Sequence, residues 1–170
     1  MGAVLGIDFS THAVDLCLLD EETNAAEWKR LDLYGATALA RLDGIHAHMP
    51  RSAWYEANNV YLVAIEKPFG HRHEIGWTFG AIYSWVAAFA RVPVFGHVPI
   101  WAVAPHEWKQ GLGLPGNATK DDCAQAVLEL VRRFPHSLEP HSQDALDAWA
   151  IAYFAREKNA KAINEQLQNA

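Results

Sequence analysis

Four carboxylate side chains stand where a predicted strand ends or a predicted helix begins. Asp8 follows a short apolar run, and Glu66 closes the β-branched and aromatic stretch of residues 60–65. Because ligands bind at the carboxyl ends of neighbouring parallel strands in an open α/β sheet, these two acids could lie within metal-bridging distance. Asp144 and Asp147 are three residues apart and share one face at the start of a predicted helix. The four positions together predict a metal-binding acidic cluster.

The order of the predicted elements indicates how the acids would meet. Apolar patterns and turn residues predict three antiparallel strands followed by alternating helices and strands. The predicted strands cover residues 3–7, 14–19, 27–33, 60–66 and 94–98, and the predicted helices cover residues 39–49, 74–90, 105–109, 119–134 and a last one capped by Ser142. This is the ribonuclease H-like layout, an α/β fold with a five-stranded mixed sheet flanked by helices. The first and fourth strands are neighbours in it, so the last helix would bring Asp144 and Asp147 to Asp8 and Glu66.

Such a cluster has a definite chemistry. Four carboxylates cannot all stay ionised a few ångströms apart unless cations compensate them, because like charges raise one another's pKa. Hard oxygen ligands select Mg²⁺, or Mn²⁺ as a substitute. Two such ions roughly 3.5 to 4 Å apart are the usual arrangement for in-line phosphodiester hydrolysis. We therefore expect two Mg²⁺ ions per site and a hydrolase.

Composition and charge limit the class of protein. The chain has 170 residues, 51% hydrophobic, which suits one well-buried core and is too short for two ordinary domains. We expect a single domain over residues 1–157 and a polar helical tail over residues 158–170. The net charge of −6 argues against a general polyanion binder, although bound cations would invert the field at the cluster. No leader or long apolar segment is recognised, and two cysteines without C-x-x-C spacing fit a reducing cytosol, so we expect a cytoplasmic protein with no membrane segment.

The chain resembles the RuvC-type Holliday junction resolvases over most of its length. The resemblance rests on three motifs that contain the four acids: Gly6-Ile7-Asp8, Ala64-Ile65-Glu66 and Asp144-Ala145-Leu146-Asp147. It implies a Mg-dependent, structure-specific endodeoxyribonuclease that resolves four-way DNA junctions by symmetric cleavage. It also implies a homodimer, paired through the helix after Glu66, from a bacterial cytosol or encoded by a phage.

The resemblance also implies roles for residues outside the cluster. Lys109 and Lys120, eleven residues apart, would contact DNA phosphate, with Lys120 acting at the scissile phosphate as part of the catalytic set. Phe69 falls where such enzymes carry an aromatic that stacks on junction bases, and Arg72 in the same loop would touch the DNA backbone. Each of these roles has a structural alternative. Lys109 and Lys120 could be solvated surface lysines, Phe69 could be an ordinary core aromatic, and the loop around Arg72 could simply be solvated. Phe9 stands next to the first aspartate where the family has proline, and this departure leaves junction selectivity open.

The predicted helix over residues 74–90 is apolar on nearly every face. One core-facing stripe of a monomer does not need that many apolar side chains. Burial in a dimer interface would explain the surplus, and a central helix buried on all sides is the competing account. The residues concerned are Trp77, Phe79, Ile82, Tyr83, Trp85, Val86 and Phe89.

Three other functions compete with junction resolution. The opening from Gly6 to Thr11 also resembles the phosphate-binding segment of sugar-kinase-like and actin-like ATPases, but those folds need two domains and this chain supplies one. A broader nuclease for forks, flaps or RNA-containing substrates would share the four acids. A noncatalytic DNA-binding protein of the same fold is the third, yet none of the acids or lysines is missing.

Overall fold

The computed structural model describes residues 2–35, 37–68, 73–92, 96–134 and 142–168. Its strands, in chain order, are β1 (Ala3–Phe9), β2 (Ala13–Asp20), β3 (Ala26–Asp32), β4 (Val60–Glu66), β5 (Arg91–Val92), β6 (Gly96–His97) and β7 (Ile100–Val103). Its helices are α1 (Ala38–His48), α2 (Ser52–Ala57), α3 (His73–Phe89), α4 (Pro105–Gly111), α5 (Lys120–Val131) and α6 (Gln143–Gln168).

Five of the strands form one mixed sheet in the order β3-β2-β1-β4-β7. The first three strands are antiparallel, whereas β4 runs parallel to β1 and β7 runs parallel to β4. Strands β1 and β4 are therefore neighbours whose carboxyl ends lie at the same edge. The predicted ribonuclease H-like arrangement is confirmed.

The alternation of side chains along the strands divides the core into two layers. On β1, Val4 packs with α5 and α6, while Leu5 and Ile7 pack on the other side of the sheet with α1 and α3. Successive residues of a strand point to opposite faces, so Asp8 shares the α6 face with Val4. The same alternation puts Glu66 of β4 on that face.

Gly6 sets the distance between β1 and α6. A β-carbon at this position would lie 2.1 Å from the Ala148 carbonyl oxygen and 2.8 Å from the Ala152 amide nitrogen. Helix α6 therefore rests directly on the strand backbone, which only glycine permits here. This close approach carries Asp147, one residue before Ala148, to the carboxyl end of β1.

The last strand of the sheet differs from the prediction. Residues 94–98 were expected to be that strand, but the sheet is completed by β7, and the short β5–β6 hairpin precedes it. The prolines at 93 and 99 suggested the boundaries of that strand. A proline has no amide hydrogen to donate, but the Pro99 carbonyl oxygen still pairs with β4 by accepting a 2.9 Å hydrogen bond from the Val63 amide. The apolar run after Pro99 then continues the pairing along β4. Helix α2 was not predicted.

Helix α3 is buried on one side only. Phe79, Ile82, Trp85, Val86 and Phe89 pack in the core. Trp77 is 65% exposed and Tyr83 40% exposed, and a β-carbon at Gly76 or Gly80 would meet nothing within 4 Å. The account in which this helix is buried on all sides is therefore wrong for the described chain. Among the described residues, no helix combines the length and the apolar character needed to cross a bilayer.

Candidate active site

The four predicted acids line a single cleft at the carboxyl edge of β1 and β4. The cleft has a volume of about 240 Å³, and Lys109, Lys120, Trp108 and Cys123 also line it. In the parallel register Ile7 lies beside Ile65, so the next residues, Asp8 and Glu66, lie at the carboxyl ends of adjacent strands on the α6 face. Helix α6 supplies Asp144 and Asp147 from its first turns, where the Ser142 hydroxyl caps the helix by accepting a hydrogen bond from the Ala145 amide at 3.1 Å.

Three of the acids have the spacing of a metal site. Asp8, Asp144 and Asp147 each offer a carboxylate oxygen, and these three oxygens lie within 4.8 Å of one another. Glu66 lies near enough for its charge to raise the pKa of Asp8, and its Oε1 accepts a 2.8 Å hydrogen bond from the Trp108 indole Nε1. A set made of carboxylate oxygens suits a hard divalent cation. The cluster can therefore hold a metal ion.

Without such an ion, burial and mutual repulsion raise the pKa of carboxyl groups in the cluster and so oppose their ionisation. Burial, followed by the charges of Glu66, Asp147 and Asp144, raises the pKa of Asp8 well above its usual range. Burial also raises the pKa of Glu66, although the hydrogen bond from Trp108 opposes this change. Burial raises the pKa of Asp147 to about 6, against the hydrogen bond from Gln143 and the charge of Lys120. A divalent cation would offset these penalties, because it favours the ionised form of every ligand.

The two predicted lysines reach the cleft in different ways. The Lys120 ammonium lies 3.5 Å from Asp144 Oδ1 with 71% of its side chain exposed. Burial tends to lower the pKa of Lys120, but the charges of Asp144, Asp147 and Asp8 raise it overall. The Lys109 ammonium is half-buried and donates a 2.8 Å hydrogen bond to the Ala118 carbonyl oxygen. Lys109 therefore ties α4 to the segment before α5, whereas Lys120 remains open to solvent.

A helix cap fixes where Lys120 stands. The Thr119 hydroxyl accepts a hydrogen bond from the Asp122 amide at 3.2 Å, and the Asp122 carboxylate accepts one from the Thr119 amide at 2.9 Å. This reciprocal pair is the predicted start of α5. Lys120 is consequently the first residue of a helix that begins at the cleft. Phe69 and Arg72, the other two predicted DNA contacts, lie outside the described residues.

Sequence reasoning missed four side chains that support the acids. Trp108 and Gln143 donate to Glu66 and Asp147. Asp15 lies beside Asp8 on the neighbouring strand β2, and Arg30 lies beside Asp15 on β3. A polar residue inside the apolar alternation of β2 was the available signal for Asp15, and nothing in the sequence marked Trp108.

Comparison with known proteins gives both sequence and structural relatives. No family model matches the chain. The proteins named crossover junction endodeoxyribonuclease RuvC from two strains of Thermus thermophilus are 33% identical to it over 107 residues. The matched segment covers 59% of this chain and 60% of each Thermus protein. The chain thus spans about three fifths of the length of the curated relatives it matches.

Solved structures match the fold over nearly the whole chain. Thermus thermophilus RuvC aligns with a TM-score of 0.69 and 23% identity, covering 94% of this chain and 96% of that one. The same protein in complex with Holliday junction substrate aligns with a TM-score of 0.70 and 22% identity, with the same coverage of both chains. A Fowlpox virus resolvase, in complex with substrate Holliday junction DNA, aligns with a TM-score of 0.54 and 9% identity, covering 92% of this chain and 97% of that one. The chain therefore has the fold of these resolvases.

Proposed function

We propose that this protein is a RuvC-type Holliday junction resolvase, a metal-dependent endonuclease that cuts four-way DNA junctions. One observation carries the proposal. A cleft at the carboxyl edge of a ribonuclease H-like sheet combines the close carboxylates of Asp8, Asp144 and Asp147 with Glu66 and with the exposed ammonium of Lys120. The likeness to Thermus RuvC, in sequence and in fold, supports the same function.

Each residue of the cleft has a proposed task. Asp8, Glu66, Asp144 and Asp147 hold two Mg²⁺ ions, for which Mn²⁺ can substitute. When bound, such ions supply an activated water and stabilise the charge that develops on the leaving 3′-oxygen. Lys120 neutralises charge at the scissile phosphate, because its ammonium lies beside Asp144 and its side chain is exposed to solvent. Lys109 holds the DNA backbone where its bond to Ala118 places it.

Cleavage of a labelled four-way junction in Mg²⁺ tests the proposal. A Y-fork, a linear duplex and an RNA–DNA hybrid are the comparison substrates. We expect paired symmetric nicks that are confined to the junction. Equal cutting of forks and flaps would favour a broader nuclease, and no cleavage in Mg²⁺ or Mn²⁺ would favour a noncatalytic DNA-binding protein.

Single substitutions in the cluster separate chemistry from folding. Asp8→Asn and Glu66→Gln should abolish cleavage without lowering the thermal unfolding midpoint in EDTA and without weakening junction binding in EDTA. Lys120→Met should lower turnover more than binding. Lys161→Met, an exposed lysine far along α6, is the matched control and should change neither. Retained cleavage by the Asp8 and Glu66 variants would remove the metal assignment.

We also propose that the protein acts as a homodimer, since a four-way junction presents two strands for symmetric nicking. The exposed side of α3 supports this proposal, because it joins Trp77 and Tyr83 to the small residues Gly76 and Gly80. Small residues allow two helices to approach closely. The double variant Trp77→Glu with Tyr83→Glu should sediment as a monomer. Leu167→Glu, at an exposed apolar residue of α6, should leave the dimer intact, and a monomeric wild type would refute the proposal.

A further inference from the structure

A row of charged side chains crosses the sheet at the level of the cluster. In the strand register Asp8 of β1 pairs with Asp15 of β2, and Asp15 pairs with Arg30 of β3. Because paired residues point to the same face, Asp15 and Arg30 lie on the α6 side beside Asp8. Asp15 is a fifth carboxylate in this region, 3% exposed, and the proposed catalytic set does not include it.

Hydrogen bonds to two carboxylates of the sheet, Asp15 and Asp32, hold the Arg30 side chain in place. Its Nη1 donates to Asp15 at 2.9 Å and 3.3 Å, and its Nε donates to Asp32 at 3.1 Å. The planar guanidinium is suited to several fixed contacts at once, which a lysine ammonium cannot reproduce. Two carboxylates therefore fix the orientation of one arginine, of which 44% of the side chain remains exposed.

This fixed arginine faces one of the cluster acids. Arg30 Nη1 lies 3.5 Å from Asp144 Oδ2, while Lys120 lies 3.5 Å from Asp144 Oδ1. Two residues earlier on the same face of β3, the Trp28 indole donates a 3.2 Å hydrogen bond to the Ala145 carbonyl oxygen. Strand β3 thus contacts two adjacent residues in the first turn of α6, Asp144 through Arg30 and Ala145 through Trp28.

We propose that Arg30, locked by Asp15, is a positioning residue that holds the Asp144 carboxylate in its metal-binding orientation. The proposal rests on the proposed function, because it takes Asp144 to be a metal ligand. Groups that hydrogen-bond to metal ligands orient them, and their loss typically costs about 10- to 100-fold in metal affinity or activity. Arg30 acts through Asp144 and need not touch the DNA.

Two variants separate position from charge. Arg30→Lys keeps the positive charge but loses the planar guanidinium, whose Nη1 contacts Asp15 and Asp144 while its Nε contacts Asp32. The double variant Asp15→Asn with Arg30→Met removes one charge of each sign, so the net charge beside the cluster is unchanged. The matched control removes another ion pair, Arg41 with Glu74, on the opposite side of the sheet, by Arg41→Met with Glu74→Gln.

Calorimetric titration of the full chain with Mn²⁺, without DNA, is the deciding measurement. We expect both Arg30 variants to unfold cooperatively in EDTA but to bind Mn²⁺ at least about tenfold more weakly than wild type, while the affinity of the control variant stays unchanged. Wild-type affinity in both variants would overturn the proposal. So would unchanged Mn²⁺ affinity with weaker junction binding in EDTA, which would make Arg30 a DNA contact.

Asp8→Asn, titrated in parallel, distinguishes this failure from failure of the proposed function. If wild type binds Mn²⁺, Asp8→Asn does not, and the Arg30 variants bind as wild type does, only the role of Arg30 is refuted. If wild type binds no Mn²⁺, or Asp8→Asn binds it equally well, the metal site itself is refuted and the role of Arg30 falls with it.

Discussion

Replacing Asp147 with asparagine should stabilise the metal-free protein at neutral pH. Burial raises the pKa of Asp147 from 3.8 to about 6. Between those two pH values the folded chain binds more protons than the unfolded chain, so stability falls as the pH rises through this window. A gap of about two pH units at about 1.36 kcal/mol each corresponds to up to about 3 kcal/mol. Asparagine carries no charge and can still accept the hydrogen bond from Gln143.

Urea unfolding in EDTA, at a series of pH values from 4 to 8, measures this effect. The advantage of Asp147→Asn should be small near pH 4, grow to a plateau above pH 6, and leave the denaturant dependence unchanged. Asp43→Asn, at an exposed carboxylate of α1, should show no such growth. Added Mn²⁺ should then stabilise wild type but not Asp147→Asn. A variant that is less stable than wild type at pH 8, or a difference that does not change with pH, would refute the reasoning.

Three further substitutions probe how the cleft is held. Gly6→Ala should destabilise the fold by about 3 kcal/mol in urea unfolding, because its methyl group would overlap the backbone of α6, whereas Gly44→Ala should cost nothing. Trp108→Phe removes the donor that lowers the pKa of Glu66, so the acidic limb of the pH–rate profile should move to higher pH. Thr119→Ala removes the cap of α5 and should lower the free energy of unfolding by about 1 kcal/mol; an unchanged value would contradict the cap.

The sequence alone predicted that the first and fourth strands are neighbours and that the four acids lie close together. Asp8 and Glu66 could be placed because each follows an apolar run that predicts a strand, and Asp144 with Asp147 because a spacing of three residues puts both on one face of a helix. The fifth strand was misplaced because proline 99 can open a strand as well as close one. The Asp15–Arg30 contact was not predicted because it depends on the register between β2 and β3, and a slip of one residue in that register would turn Arg30 to the face opposite Asp15.

The stability cost of the cluster explains why the site is built on α6. The carboxylates of Asp144 and Asp147 must approach Asp8 although burial and repulsion oppose it. Directly after Asp147, the residues from Ala148 to Ala152 are fully buried where α6 packs between the sheet and helices α4 and α5, and such apolar burial contributes roughly 25 cal/mol per Å². The helix that brings the acids together thus also supplies the packing that offsets their repulsion. Because Gly6 lets this helix lie directly on β1, any change that lifts α6 should loosen the core and spread the acids apart together.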